Sequence, residues 1–483
     1  MARKMGRREF LKMLAAAATL LKGPVASRAG RRKAERPNIL VMLSDDMGWG
    51  QPGFQGGTSV PTPNLDRIAQ EGVQLAQFYV QAVCSPTRAC LMTGRYPFRT
   101  GTEERTHAND MAGMLLDERT LAQALKQAGY FTAIIGKWHL GEWKKAHLPM
   151  QRGFDHQYGH YSALIDSFTH ARGAVFDWHR NEQPLNEEGY STFLIAGEVE
   201  RLLQKHDKSK PFFFYVPFNA VHGPHQAPEE FVAKYGGKNA AQNAQLECMD
   251  MAIGRILKTL DKHGATDNTL VVFFNDNGRR AVLGNGPYRG GKGSYYEGGI
   301  RVACVMRWPG HIKARSLVDE PLHVVDLYPT LINRAGGSLE QELPLDGLDV
   351  WATITEGKPS PRQEIVHNVP GSPRSSQAAI RRGDFKLVGN ELFDIKSDPY
   401  EKNDLAGKFS EKVNELKERL AYYAGQRREP EKHLPIPGYP PPVYGELENK
   451  GPLPTWLIEK AQEAKTSRRA QRRNKARKIE TNR

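Results

Sequence analysis

A chain of 483 residues, 39% hydrophobic and 25% charged, has the composition of a folded globular protein with room for one large domain and a smaller one. Its net charge of +14 suggests a nucleic-acid binder until it is divided by segment: residues 1–36 hold eleven Lys/Arg and two Glu, residues 465–483 nine Lys/Arg and one Glu, and the body between is slightly acidic. No nucleic-acid partner is expected, and four cysteines at this length exclude a disulfide framework while leaving open one bridge among Cys90, Cys248 and Cys304.

At the N-terminus, Arg7-Arg8-Glu9-Phe10-Leu11-Lys12 precedes an apolar run from Met13 to Leu21 and small residues near Ala26 to Ala29. This order reads as an export signal over residues 1–34, of twin-arginine or general secretory type, too short to serve as a stable membrane anchor. An exported, periplasmic or secreted protein is expected.

Asn38 to Leu43 is an apolar run of the kind found in fully buried strands, and it ends in Ser44-Asp45-Asp46. Adjacent carboxylates repel unless water or a cation separates them, so the doublet is either a solvated turn or part of a metal site. Thr62-Pro63 opens a helix that Gly72 should close. In Cys84-Ser-Pro-Thr-Arg-Ala-Cys-Leu-Met-Thr-Gly-Arg95, Ser85 as cap, Pro86 as first residue and Gly94 as stop predict a helix over Pro86 to Thr93. Cys84 then sits where free N–H groups and the helix dipole favour a nucleophile that meets an anion, with Arg88 one turn on; the other reading is a buried structural cysteine.

Leu121, Leu125 and Ala128 mark a helix stopped by Gly129, and Phe131 to Ile135 is strand-like, running into Gly136-Lys137-Trp138-His139-Leu140-Gly141. Pro211 to Val216 is followed by Asn219-Ala220-Val221-His222, and Thr269 to Phe274 by Asn275-Asp276-Asn277-Gly278. Four buried-type strands therefore each end in polar groups, with helical patterns over Thr192 to Lys205 and about Asn239 to Lys262 between them. A mostly parallel α/β sheet is expected, with a shared site at the carboxyl ends of its strands. Gly291-Lys292-Gly293 before Glu297-Gly298-Gly299-Ile300-Arg301 makes a glycine-rich loop that brings backbone and an ammonium near an oxyanion. Beyond a helix over Val324 to Ala335, the Pro- and Gly-rich stretch 357–373 marks a boundary. Gln377 to Arg381, Asp384 to Val388 and Glu391 to Ile395 then read as strands and Ser410 to Tyr423 as a helix. The expected organisation is a catalytic domain over 35–360, a small α+β subdomain over 361–445 and a basic tail over 446–483.

Cys84-x-Pro86-x-Arg88 with Thr93-Gly94-Arg95 resembles the signature of the formylglycine-dependent sulfatases. Asp45 to Gly50, Gly136 to Gly141, the Lys292 loop, and Glu391-Leu392-Phe393-Asp394 with Asp398-Pro399 resemble further motifs of that family in the same order. The resemblance implies an alkaline-phosphatase-like sandwich: a large, mostly parallel central sheet flanked by helices, plus a small C-terminal α+β domain. It implies that a formylglycine-generating enzyme oxidises Cys84, and that Asp45, Asp46, Asp276, Asn277 and the modified Cys84 hold a Ca²⁺ ion. Oxygen donors without thiolates or a histidine pair favour Ca²⁺ or Mg²⁺ over zinc in any case. By the same resemblance the ion and Arg88 acidify the attacking hydroxyl, Lys137, Lys292 and the ion steady the sulfate oxygens, His222, alone or with Lys292, protonates the departing alcohol and His139 removes a proton.

Within the family, the spacing to Arg152-Gly153-Phe154-Asp155 and the segment His222 to Glu230 look closest to arylsulfatase B, the N-acetylgalactosamine-4-sulfatases. The substrate implied is a sulfated glycan of N-acetylgalactosamine-4-sulfate or galactose sulfate type. Arg99, Arg105, Trp143, Lys144, Lys145, His170, Arg279 and Arg280 lie in loops near the motifs and are either anionic-sugar contacts or solvated surface. Two departures stand out: Arg279-Arg280 follows Asp276-Asn277-Gly278 where many relatives carry a second glycine, and neither Ser162 nor Ser167 can be assigned to the serine some relatives place near the sulfate. The competing readings are a phosphodiesterase or phosphonate hydrolase of the same superfamily, and a sulfated-glycan-binding protein without catalysis.

Overall fold

Uninterrupted apolar runs become strands only where both faces of a sheet are covered, and that is the arrangement in the computed structural model, which describes residues 36–104, 106–280, 284–436, 441–445, 454–460 and 462–463. The described residues from Pro37 onward form one compact unit. The expected signal over 1–34, Arg105 and the basic tail from Lys465 lie outside the described residues.

Five parallel strands form the centre of a ten-stranded sheet, in the order Thr269–Asn275, Asn38–Ser44, Phe212–Pro217, Phe131–Lys137, His156–His160. Alternate residues feed opposite cores: Ile39, Val41 and Leu43 join one, Leu40 and Met42 the other. The first core takes in the helix Cys84–Thr93 through Ala89 to Met92, the helix Leu121–Gln127, and Val413, Leu416 and Leu420 of the C-terminal helix Ser410–Ala424. The second is covered by the helices Pro63–Gln70, Ser191–Lys205 and Ala240–Lys262.

Sequence pattern missed the flank of the sheet beyond Thr269–Asn275. There Cys304–Arg307 pairs antiparallel, followed by Val73–Tyr79 and then Ser316–His323, which is parallel to it. Val73–Tyr79 and Ser316–His323 mix Gln, Asp, Glu and Pro into their runs and lack the uniform apolar signature of the centre, and Cys304–Arg307 is only four residues long. The expected hairpin is present as Ala379–Arg382 and Phe385–Val388 around Gly383, extended by Glu391–Asp394 and by an unforeseen strand, Glu364–Asn368, into a four-stranded antiparallel sheet. All four cysteines are free and buried, so no bridge joins Cys90, Cys248 and Cys304. No helix among the described residues is long and apolar enough to cross a membrane. Within the segment expected as a tail, Leu457 is buried and Trp456 stands edge-on to Phe176 at 5.3 Å.

Glu198 of the helix Ser191–Lys205 ties that layer to the sheet, meeting His156 Nε2 at 2.8 Å, Arg180 at 3.0 Å and Arg201 at 2.6 Å. Burial pushes its carboxyl up, but the Arg201, His156 and Arg180 contacts outweigh this and hold it at about 2 against an ordinary 4.5. Its stabilising contribution is therefore full above pH 4.5 and lost as pH falls towards 2. Chemical denaturation across that window should show Glu198→Gln with a flatter acid slope than the parent; equal slopes would remove Glu198 from the acid transition.

Candidate active site

The four central strands that carry motifs end on the same edge of the sheet, and their terminal loops are bound to one another. Asn275 is the fastening the sequence reading passed over: its Oδ1 accepts Ser44 Oγ at 2.8 Å and Met47 N at 3.0 Å, and its Nδ2 donates to Met47 O at 2.6 Å. The Asp45-Asp46 loop is thereby locked to Asp276-Asn277. Its only signal in sequence is its place directly before Asp276. The His222 loop is tied in by Asp45 N to Ala220 O at 2.9 Å and Val221 N to Asp45 O at 2.8 Å. Gly278 allows the closest approach, because a Cβ there would lie 1.8 Å from Gly298 O.

The helix after Val83 begins at Cys84, two residues before the expected start. Ser85 is not its cap: Val83 occupies that position in extended conformation, and Ser85 Oγ instead accepts Thr106 N at 3.2 Å. Thr87 Oγ1 donates to Asp276 O at 2.7 Å and pins the helix start to the strand end. Cys84 is buried in the first turn, and burial pushes its thiol above the ordinary range despite Lys137 and Lys292 nearby.

Around it, opposite charges interleave. Arg88 Nη2 meets Asp276 Oδ2 at 2.9 Å and Asp45 Oδ2 at 3.4 Å, while Arg88 Nη1 donates to Lys137 O at 3.1 Å. Lys137 Nζ lies 2.5 Å from Asp45 Oδ2 and Lys292 Nζ contacts Asp46 Oδ1, with Asn277 Nδ2 donating to the same oxygen at 2.7 Å. His222 Nε2 is 3.6 Å from Asp46 Oδ2. Arg88, Lys137, Asp45, Asp276 and Asn277 are wholly buried. Burial raises the Asp45 carboxyl, but Lys137, His222 and Arg88 together hold it below the usual carboxylate range; Asp276 goes the other way, raised by burial and by the Asp45 charge beside it. Lys292 stays cationic, since the acidic groups around it outweigh its burial.

Two site residues adopt left-handed backbone, Asp46 at φ 59° and His139 at φ 61°. For a non-glycine residue this costs on the order of 1–3 kcal/mol, strain of the kind retained where a side chain must be aimed. His139 is wholly buried behind Lys137, and burial with the neighbouring Lys137 and Arg88 charges holds its imidazole well below the ordinary range, so it is neutral.

Oxygen ligands of Asp45 and Asp276 and the Cys84 sulfur lie within 4.8 Å of one another, and Asp45, Asp46 and His222 form a second such group. Asp45 Oδ1 and Asn277 Oδ1 are buried and accept no hydrogen bond among the described residues, a need that a hard cation meets. The structure thus brings together Asp45, Asp46, Cys84, Arg88, Lys137, His222, Asp276, Asn277 and Lys292, with His139 beside them. Ser162 and Ser167 stand apart from this cluster, bonded to Leu164 O at 2.9 Å and towards Asn219 at 3.4 Å. Of the loop residues, Arg99 is paired with Asp346, Trp143 is packed on Tyr444, His170 is stacked on Trp178 and Lys144 is paired with Glu431, whereas Lys145 and Arg280 are exposed.

The sulfatase family profile matches residues 37–337, which contain every motif of this cluster. The chain is a member of the sulfatase family. This sulfatase is 34% identical over 470 residues to arylsulfatase J of Mus musculus, spanning 83% of its own chain and 78% of that protein. It is 33% identical over 349 residues to the N-acetylgalactosamine-6-sulfatase of Homo sapiens, spanning 67% and 66%. Among solved structures, Ps i-CgsB in complex with k-i-k-neocarrahexaose superposes with a TM-score of 0.77 at 29% identity, over 82% of this chain and 94% of that one. The PsFucS1 sulfatase from Pseudoalteromonas sp. follows at 0.69 and 26%, over 87% and 95%. This sulfatase is a sulfuric ester hydrolase with the alkaline-phosphatase-like fold expected from its motifs.

Proposed function

We propose that this sulfatase is an exported enzyme that removes sulfate from a galactose-configured sugar of a glycan, using formylglycine made from Cys84 and a bound Ca²⁺. The observation that carries this is the Cys84 sulfur within 4.8 Å of both Asp45 and Asp276, at the first turn of a helix whose Arg88 spans the same two carboxylates. Asp45, Asp46, Asp276 and Asn277 would hold the ion, which when bound supplies positive charge for a substrate oxygen. Formylglycine supplies, as its hydrate, one hydroxyl to attack sulfur and a second whose proton has to leave.

The chain's own residues divide the remaining work. Arg88 faces the residue-84 position from within the helix and favours an oxyanion there. Lys137 and Lys292 are the ammonium groups beside the sulfate position, each already gathered against an Asp. His222 is pushed below its ordinary range by burial, ahead of the opposing pull of Asp45. An arriving sulfate ester adds negative charge next to it, favours the imidazolium and readies Nε2 to protonate the departing sugar oxygen. His139, buried and neutral, accepts a proton on the other side.

The sugar class rests on two likenesses. Motif spacing looks closest to the N-acetylgalactosamine-4-sulfatases, and the relatives include N-acetylgalactosamine-6-sulfatases; the galactose configuration is what the two have in common. Sulfate release should be measured on 4- and 6-sulfated N-acetylgalactosamine and galactose, on 6-sulfated glucosamine, and on a phosphodiester. Turnover at least about 10-fold faster on a galactose-configured ester is expected, lowered about 100-fold by a chelator and restored by Ca²⁺. Preference for the glucosamine ester would overturn the sugar class, and much faster phosphodiester turnover would overturn a sulfate ester as the substrate.

A further inference from the structure

Behind His139 lies a carboxyl that the reaction as described does not use. Glu142 is 1% exposed, follows directly after Gly136-Lys137-Trp138-His139-Leu140-Gly141, and places Oε1 3.9 Å from His139 Nε2. Its Oε1 accepts Thr106 Oγ1 at 3.2 Å, and Thr106 N in turn donates to Ser85 Oγ of the Cys84 helix at 3.2 Å. Arg172 Nη1 stands 3.9 Å from Oε2. Four buried polar atoms in this group, both ring nitrogens of His139, Glu142 Oε2 and Arg172 Nη1, make no full hydrogen bond among the described residues, and the Thr106 backbone also faces the His139 ring. Groups so arranged, each one short step of about 1 Å from its neighbour, form a chain that closes when a proton moves.

We propose that Glu142 is a positioning residue of the sulfatase reaction: it holds the proton of His139 Nε2 and so leaves Nδ1 as the nitrogen that accepts a proton in the site. This rests on the proposed role of His139 as proton acceptor. A neutral imidazole carries its hydrogen on one nitrogen only, and which one is set by what faces the other. Burial raises the Glu142 carboxyl to about 8, with Asp177 adding to the rise and Arg172, Thr106 and Lys137 opposing it. Below that pH the carboxyl keeps its own proton and points it at Nε2, which puts the ring hydrogen on Nδ1. Above it one proton is lost to solvent, the ring hydrogen sits on Nε2 and donates a hydrogen bond to the carboxylate, and Nδ1 is left bare. The groups facing the pair are thus Arg172, Asp177, Lys137, Arg88 and Thr106, while the proton is exchanged between Glu142 and His139.

The test uses full-length protein with Cys84 unmodified, labelled with ¹⁵N-histidine, and His139 assigned by the signal lost in His139→Asn. From pH 6 to 9 the parent should pass from the Nδ1–H to the Nε2–H pattern, with the midpoint near 8, and Glu142→Gln should hold a single pattern throughout. Identical titrations in parent and variant would overturn the proposal. In the modified enzyme assayed above pH 8, Glu142→Gln should lower kcat on the order of 100-fold with KM changed less than about twofold, and Glu142→Asp should recover part of the loss. A Glu142→Gln enzyme with unchanged kcat, or with KM alone raised, also overturns it. Thr106→Val, which removes the hydroxyl orienting Glu142, should shift the midpoint and serves in place of Glu142→Gln if that variant does not fold; an unmoved midpoint there counts against the pair. Because the ¹⁵N signals need no formylglycine, they report on Glu142 even if Cys84 proves unmodified.

Discussion

Cys84→Ala should abolish sulfate release, by on the order of 10⁴-fold or more, while leaving the protein folded. The thiol is small and buried in the first turn of a helix whose remaining nine residues are also buried, so losing one sulfur removes little packing. Everything that holds the site in shape is made by other groups: Thr87 to the Asp276 carbonyl, Arg88 to Asp45 and Asp276, Asn275 to Ser44 and Met47. A melting curve close to the parent beside a dead assay is therefore the expected pair of results. The chemical counterpart is the mass of the tryptic peptide Ile68 to Arg88 from protein made in its native host, which should carry the aldehyde in place of the thiol. Residual activity near the parental level in Cys84→Ala would end the formylglycine mechanism. An unmodified thiol with sulfated-glycan binding and no release would turn the protein into a binder.

Lys386→Met should destabilise the fold by about 3–5 kcal/mol, because it strands two buried carboxylates. Lys386 Nζ, wholly buried in the strand Phe385–Val388, meets Glu297 Oε1 and Glu401 Oε1, each at 2.8 Å. Glu297 also accepts Tyr79 OH at 2.7 Å, and Glu401 Oε2 accepts Glu297 N at 2.7 Å. Burial pushes both carboxyls up; Lys386, with Arg301 and Arg381, pulls Glu297 down to about 2, whereas Glu401 is left raised by burial and the Glu297 charge. Without the ammonium the two carboxyls face each other in the dry interior, and Glu401 is driven to take up a proton. Glu297 opens the Glu-Gly-Gly segment that follows Lys292, so this contact joins the C-terminal sheet to the Lys292 loop. Denaturant midpoints at neutral pH should fall for Lys386→Met and recover largely in Lys386→Met with Glu297→Gln. Equal midpoints for parent and single variant would show that solvent reaches the network.

The site was readable in sequence to the extent that its parts are local. Asp45-Asp46, Lys137, His139, His222 and Asp276-Asn277 each lie at the end of a buried strand or within five residues of it, so a single sheet direction carries them to one edge. Ser85 was misread as a cap because a serine before a proline satisfies the local rule, while its hydroxyl is taken by Thr106 from another loop. Glu142 and Asn275 were passed over because nothing in their own neighbourhood distinguishes them. Their roles come from partners such as His139 across a turn and Ser44, 231 positions away.

By itself the sequence determined the central strands, the helices on both faces, the family motifs and the order in which they meet the sheet. Burial on two sides demands long apolar runs, and chemistry at strand ends demands polar residues directly after them, and both requirements are written in consecutive residues. Tertiary structure alone decided the antiparallel flank through Cys304–Arg307 and Val73–Tyr79, the charge pairing of Arg88 with two aspartates, the clamp of Lys386 on Glu297 and the carboxyl behind His139. Edge pairing and buried charge compensation depend on which distant groups the fold brings within a few ångströms, and no local pattern encodes that distance.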